Sequence, residues 1–410
     1  MLRFLTSGES HGPMLFATLD GFPAGLTLDT DRLNHELARR QKGYGRGSRQ
    51  KIEQDRADLV GGVRHGVTTG APIGIRIENR DWQNWEVVMS QEPVDLGDLS
   101  VLEQLEKKQI KHFRPGHADL AGVVKYGHED IRNVLERASA RETASRVAVG
   151  TVCRQLLERF GVRVVAHVIQ VGDQKASKPA DLDDIESLET AIEESELSCA
   201  NEETLAEMKA AIKKAWQDGD SLGGVIEIIA EGLPVGLGDY TQWDRKLDGR
   251  LAQALMSIQA MKAVEIGDGI KQAGRPGSLV HDAIYPNNVD GQYPFKRKTN
   301  HAGGLEGGMT NGERVVLKAF MKPIPTLRKG LDSVSFPEFE SHKADYERSD
   351  VCAISAASVV TRAMVSFVLA DAFLEKFSGD SIYDIEAALE HYRTQWSYDS
   401  SFDNTFDQCQ

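Results

Sequence analysis

The segment from Val351 to Ala370 constrains the fold most. It is rich in Ala, Ser and Val, holds few large side chains and is interrupted by Arg362. A helix that is apolar all round must be enclosed, by a membrane or by a large protein interior. Small side chains and a mid-span arginine select the second, so the spacing predicts a long helix over 353–376 packed inside the protein, with no membrane span. At 410 residues the chain is large enough to enclose it. That length allows two or three domains or one large fold.

Residues 14–20 are expected to form a strand ended by Gly-Phe-Pro-Ala-Gly. Residues 29–41 should form a helix capped by Asp29, Thr30 or Asp31, with Leu33 and Leu37 four apart. Ile73, Ile75 and Ile77 alternate within 71–78, the pattern of a half-buried strand. Further helices are expected at 129–150, 151–160 and 244–260, and strands at 162–170, 222–230 and 313–321. The elements do not alternate regularly and no clean linker separates them. The fold class is therefore α+β, one unit over 1–410. No Gly-x-Gly-x-x-Gly follows an early strand and no Walker loop is present, so no Rossmann or P-loop module is indicated.

Cys153, Cys199, Cys352 and Cys409 are far apart with no Cys-x-x-Cys. This argues against a disulfide framework and a thiolate zinc site, and no metal is expected. A reducing cytosol fits that pattern. The first residues carry no charged region followed by an apolar run, so no signal peptide is expected and the location is read as cytoplasmic.

Charge is spread unevenly over a net of −14. Residues 181–220 hold 13 acidic and 3 basic side chains, a local net of −10. Leu188, Ile192, Leu205, Met208 and Ile212 recur at helical spacing there, so 172–222 is read as an acidic, solvated helical hairpin inserted on the surface. Residues 32–51 are the reverse: Arg32, Arg39, Arg40, Lys42, Arg46, Arg49 and Lys51 face only Glu36. Gly43, Gly45 and Gly47 leave this backbone free to approach a ligand, and arginine forks suit phosphate and carboxylate. A charged loop, an RNA-binding tract and a small-anion site all remain open on this segment. The acidic total and the single aromatic, Tyr44, weigh against nucleic acid.

Several short motifs carry chemistry. Gly8-Glu9-Ser10-His11-Gly12 sets a histidine, a common acid or base, between glycines. In Arg114-Pro115-Gly116-His117-Ala118-Asp119 a rigid turn holds a second histidine that Asp119 could orient; an ordinary β-turn is the alternative. Arg137 and Arg141 are four apart among small residues, which predicts one helix face carrying both. Gly303-Gly304-Leu305-Glu306-Gly307-Gly308 precedes a strand that runs into Lys322-Pro323-Ile324-Pro325-Thr326. The two prolines there would make an extended ledge suited to a flat ring and a phosphate; a hairpin and a loop are the plain alternative. Asp350 follows Glu347-Arg348-Ser349 and could cap the long helix or serve an anion site at its start.

Taken in order, GESHG, RRQKGYGRGSR, RPGHAD, RASARET, GGLEGG, KPIPT and ERSD resemble the chorismate synthase family, from residue 8 to about 370. The resemblance implies a fold of helices sandwiched between antiparallel sheets and a homotetramer. It implies a lyase of the shikimate pathway to aromatic amino acids, which eliminates phosphate (anti-1,4) from 5-enolpyruvylshikimate 3-phosphate to give chorismate. Reduced FMN is the implied cofactor, with NADPH as an external reductant; no membrane or nucleic-acid partner is implied. By the same resemblance His11 protonates the reduced flavin, His117 acts as an acid near the departing phosphate or the flavin, and Asp350 assists proton transfer at the flavin N5. The implied FMN contacts are Arg137, Ala138, Ser139, Gln259, Ala260, Gly307, Lys322, Pro323, Ile324, Pro325, Thr326 and Arg348. Arg40 and Arg46 match phosphate or nucleotide contacts, and Arg49 and Arg114 join them as candidates for a substrate with two carboxylates and a phosphate. Gln259 stands where many relatives have Asn, and the acidic segment is absent from shorter members. A flavin-binding regulatory protein without turnover and an RNA-binding protein are the competing classes.

Overall fold

The computed structural model describes residues 1–46, 55–176, 184–344 and 350–399. Two antiparallel sheets face each other across a layer of helices. The first is built from β1 (Arg3–Ser7), β2 (Met14–Asp20), β3 (Ala57–Gly61) and β4 (Ile73–Glu78), in the order β1-β2-β4-β3. Alternation sends Leu15, Ala17 and Leu19 to one face. They pair in register with Ile77, Ile75 and Ile73, and all six are at most 1% exposed. The second sheet holds β5 (Arg163–Val171), β6 (Gln174–Lys175), β7 (Gly224–Glu231), β8 (Met261–Ile266) and β9 (Val315–Met321), in the order β8-β9-β7-β5-β6. Its inner rows are Ile226, Ile228 and Ala230 of β7, flanked by Val168, Ala166 and Val164 of β5 and by Ala319, Leu317 and Val315 of β9.

Between the sheets lie α1 (Thr30–Gln41), α4 (Thr143–Arg159) and α8 (Ile354–Lys376); α7 (Leu247–Met256) packs on α8 and β8. α4 rests on the first sheet and α8 on the second, and the two helices pack on each other. At their crossing Gly150 lies against Ala363: a Cβ on Gly150 would fall 2.3 Å from the Ala363 carbonyl oxygen. The small residues of α8 serve this close approach. α8 is long and apolar enough to span a membrane, but 94% of its most apolar window is buried in the protein. Arg362 is neutralised there: it reaches Glu36 of α1 and, at 3.0 Å, Glu189. Glu36 also meets Arg154 at 3.4 Å and Arg39 at 3.5 Å. Burial alone would raise the Glu36 pKa, but Arg362, Arg154 and Arg39 together hold it far below the carboxylate range.

Three sequence expectations are corrected. The helix expected over 129–150 is broken: α3 (Arg132–Ala138) stops at Ser139, whose ψ of 141° leaves the helical region. A 3₁₀ turn over Ala140–Glu142 leads into α4, and Ser139 Oγ caps that turn by accepting from Arg141 N. Arg137 and Arg141 therefore do not share a helix face. The acidic segment does form two helices, α5 (Ile185–Glu194) and α6 (Glu202–Gln217), but it is not a solvated hairpin. Ile185, Leu188 and Ile192 bury against Val165 and Ile229 on the outer face of the second sheet. Met208 and Ile212 join the main core. Its charges lie on the outward faces, which is why composition alone misreads it. The helix expected over 244–260 is also shorter, because Ala260 adopts φ +67° and turns the chain into β8.

Candidate functional site

One end of the helical layer opens into a cavity of about 1070 Å³. Its lining comes from segments far apart in the chain: Ser10 and His11, Arg40 to Arg46, Arg114 to Ala118, Ala138 to Thr143, Ile258 to Ala260, Met321 to Thr326, and Asp350 with the start of α8. Among the described lining residues Arg40, Arg46, Arg114, Arg141, Lys213, Lys322 and Arg328 face only two carboxylates, Asp220 and Asp350. The lining is thus cationic, although Arg40 and Arg141 pair behind it with the buried Asp55.

Each histidine is held by a buried carboxylate. His11 Nδ1 lies 2.8 Å from Glu136 Oε2, and its backbone N donates to the same oxygen at 2.9 Å. The other face of the ring stacks on Trp85, centroids 3.8 Å apart. His117 Nδ1 lies 2.6 Å from Asp119 Oδ1. Arg114 grips Asp119 with two donors, Nε at 2.8 Å and Nη2 at 2.9 Å. That Nη2 is 3.0 and 3.4 Å from the two ring nitrogens of His117, so the guanidinium lies over the ring face rather than in its plane. Asp119 begins α2 (Asp119–Tyr126) and its side chain is fully buried. Burial opposes its charge, yet the hydrogen bonds from His117 and Arg114 hold its pKa down to about 2. An imidazole whose Nδ1–H is fixed on a carboxylate turns Nε2 into its proton-exchanging atom.

Asp350 is not the N-cap residue of α8: the helix begins after Ala353, which makes no side-chain cap bond, and Asp350 pairs with Arg46 at 2.7 Å. The Lys322–Thr326 ledge is tied at its start and middle: Lys322 Nζ donates to Gly116 O at 2.5 Å, and Ser221 Oγ donates to Ile324 O at 2.6 Å. Arg40 is anchored rather than loose, donating to Thr143 Oγ1 and Ala140 O, each at 2.9 Å.

Of the residues singled out in sequence, the cavity brings together His11, His117, Asp350, Ala138, Ser139, Gln259, Ala260, Lys322, Ile324, Pro325, Thr326, Arg40, Arg46 and Arg114. Three stand off it. Arg137 donates to Gly8 O and Thr6 O, Gly307 forms the turn of a short hairpin, and Pro323 is not among the lining residues. Arg49 and Arg348 lie outside the described residues, as does the rest of the basic loop beyond Arg46. Sequence reasoning missed Glu136, Trp85 and the wall supplied by α6, where Ile212, Lys213 and Trp216 face the cavity and Arg328 stacks on Trp216 at 4.9 Å. Gly45 packs on Ile212, so α6 also supports the loop that carries Arg46. The helical spacing of Met208 and Ile212 marked a buried stripe, and that was the available signal.

The residues fit a flavin: a guanidinium N–H suits an anionic oxygen, and a buried amide oxygen suits a ring N–H. Arg46 Nε and Gln259 Oε1 are buried without hydrogen-bond partners among the described residues, one donor and one acceptor on the lining. Ile258, Ala260, Met321, Ala356, Ala357 and Val360 add an apolar surface for a ring system.

Comparison with known proteins agrees with this site. The chorismate synthase family model matches residues 2–374. The chain is 52% identical over 392 residues to a chorismate synthase of Brevibacillus brevis, covering 96% of this chain and 98% of that protein. It is 52% identical over 396 residues to one of Desulforamulus reducens, covering 97% and 99%. A crystal structure of chorismate synthase superposes with a TM-score of 0.76 at 40% identity, covering 97% of this chain and 98% of that one. With most of the matched motifs contributing to one cationic cavity, the chain belongs to the chorismate synthase family and is a lyase that forms chorismate.

Proposed function

We propose that the chain eliminates phosphate from 5-enolpyruvylshikimate 3-phosphate in this cavity, with reduced FMN bound beside the substrate. The observation that carries the reading is the meeting of His11, His117 and Asp350, from three distant segments, in one arginine-lined cavity. When bound, reduced FMN supplies an electron-rich ring for an elimination that has no net redox change. Ala138, Ser139, Gln259, Ala260 and the Lys322–Thr326 ledge hold it, and NADPH serves only as an external reductant.

Arg46 and Arg114 bind the substrate's anionic groups. Fixed cations favour the charge that develops on a departing phosphate without reorganising. His117 holds a proton at Nε2 for that phosphate, its Nδ1 kept on Asp119. His11 holds a second proton within the cavity. Asp350, as a carboxylate, takes up the proton that the substrate loses. The reading includes a cytoplasmic homotetramer. Leu5, 79% exposed, and Val60, 54% exposed, lie with half-buried Phe16 on the outer face of the first sheet, a surface that another copy can cover. Chorismate and phosphate should appear together when the protein meets the substrate and reduced FMN without oxygen. Phosphate without chorismate, or no release at all, refutes the proposal.

A further inference from the structure

His11 sits on a short loop between β1 and β2, and a loop flanked by glycines does not itself hold an imidazole in one orientation. The orientation comes from the end of α3. Glu136, one turn after Arg132, has a fully buried side chain. Its backbone carbonyl accepts from Ser10 N at 3.1 Å and its carboxylate accepts from His11 N at 2.9 Å. The same carboxylate takes His11 Nδ1 at 2.8 Å and Arg132 Nη1 at 2.7 Å. Arg132 in turn donates its Nε to Lys108 O at 3.1 Å, so the acceptor is itself held in place. Trp85 closes one face of the imidazole, and Lys108 Nζ lies 3.7 Å from the Trp85 ring centroid. The ring is thus fixed in its plane by Glu136 and against rotation by Trp85.

We propose that Glu136 is a positioning residue for His11: it keeps the proton on Nδ1, so that Nε2 is the atom that exchanges a proton within the cavity. This rests on the reading of His11 as an acid–base group. A carboxylate on one ring nitrogen selects the tautomer and steadies the imidazolium. Loss of such a carboxylate costs about 10²–10⁴-fold in turnover where the imidazole transfers a proton. Glutamine at 136 still fills the space but offers one acceptor oxygen, which Arg132 competes for, and its amide can donate to Nδ1 and reverse the tautomer.

The test has two arms. In the first, ¹⁵N-histidine spectra of the wild-type protein, with His11 assigned by its loss in His11→Asn, report which nitrogen carries the proton. The proposal expects Nδ1–H at neutral or higher pH; a ring protonated at Nε2 alone overturns it, and no variant of Glu136 needs to fold for that answer. In the second, Glu136→Gln should lower kcat at least tenfold with KM changed less than threefold. Glu136→Asp should recover part of that loss. The double variant with His11→Ala should be no slower than His11→Ala alone. A Glu136→Gln enzyme with wild-type kcat, or a double variant whose losses multiply, refutes the positioning role. If His11→Ala itself keeps full turnover, the acid–base reading of His11 fails, and the spectra still decide whether Glu136 sets the tautomer.

Discussion

Gly150→Ala sets two effects of opposite sign against each other. Alanine is about 1 kcal/mol better than glycine inside a helix. At this crossing, however, the new methyl carbon would lie 2.3 Å from the Ala363 carbonyl oxygen and 2.5 Å from its Cα. Real contacts of this kind sit near about 3.4 Å or more, so the helices must part by roughly an ångström. The obstacle is backbone, and no rotamer change relieves it. Overpacking of this kind costs about 1–3 kcal/mol. We take about 3 kcal/mol because α4 and α8 are held by sheets on both sides, leaving a net loss of about 2 kcal/mol. In a chain of this size that lowers Tm by about 2 °C. Gly249→Ala, in α7, is the control. Nothing lies within 4 Å of its added Cβ, so only the propensity gain remains and Tm should rise slightly. Differential scanning calorimetry with denaturant midpoints measures both. If Gly150→Ala is neutral or stabilising, like Gly249→Ala, the argument that this contact dictates the small residues of α8 is wrong. The crossing also bears on the site, because Thr143 at the start of α4 and Ala356, Ala357 and Val360 on α8 line the cavity, so turnover should fall with Tm.

The remaining expectations concern charges. Asp350→Asn should lose most turnover and, because it breaks the 2.7 Å pair with Arg46, lower Tm modestly; full activity in that variant removes Asp350 from the proton path. His11→Ala and His117→Ala should each lower turnover by about 10²–10⁴-fold with the fold intact by circular dichroism. Asp119, held down to about 2 from an ordinary 3.8, contributes stability that is full above pH 3.8 and is lost as pH falls through about 2; acid titration of Asp119→Asn should lack that component. Glu36→Gln leaves Arg362 buried without its main partner and should cost about 3–5 kcal/mol, read from chemical denaturation; a loss under 1 kcal/mol contradicts the ion-network account.

Alternation and helical spacing made β2, β4, α1 and α8 legible in the sequence, because local periodicity records which face is buried. The residue types of the site were legible as well, since a histidine or arginine between glycines carries its chemistry wherever it lies. Spacing could not show the break at Ser139, because small residues tolerate a helix and a turn alike, and the choice falls to what packs around them. Nor could it pair His11 with Glu136, 125 residues away, or turn the inner stripe of an acidic segment into a wall of the cavity. Periodicity is a property of neighbouring residues along the chain. Which carboxylate meets which imidazole, and which helix closes a cavity, depends on contacts that exist only once the two sheets have closed over α4 and α8.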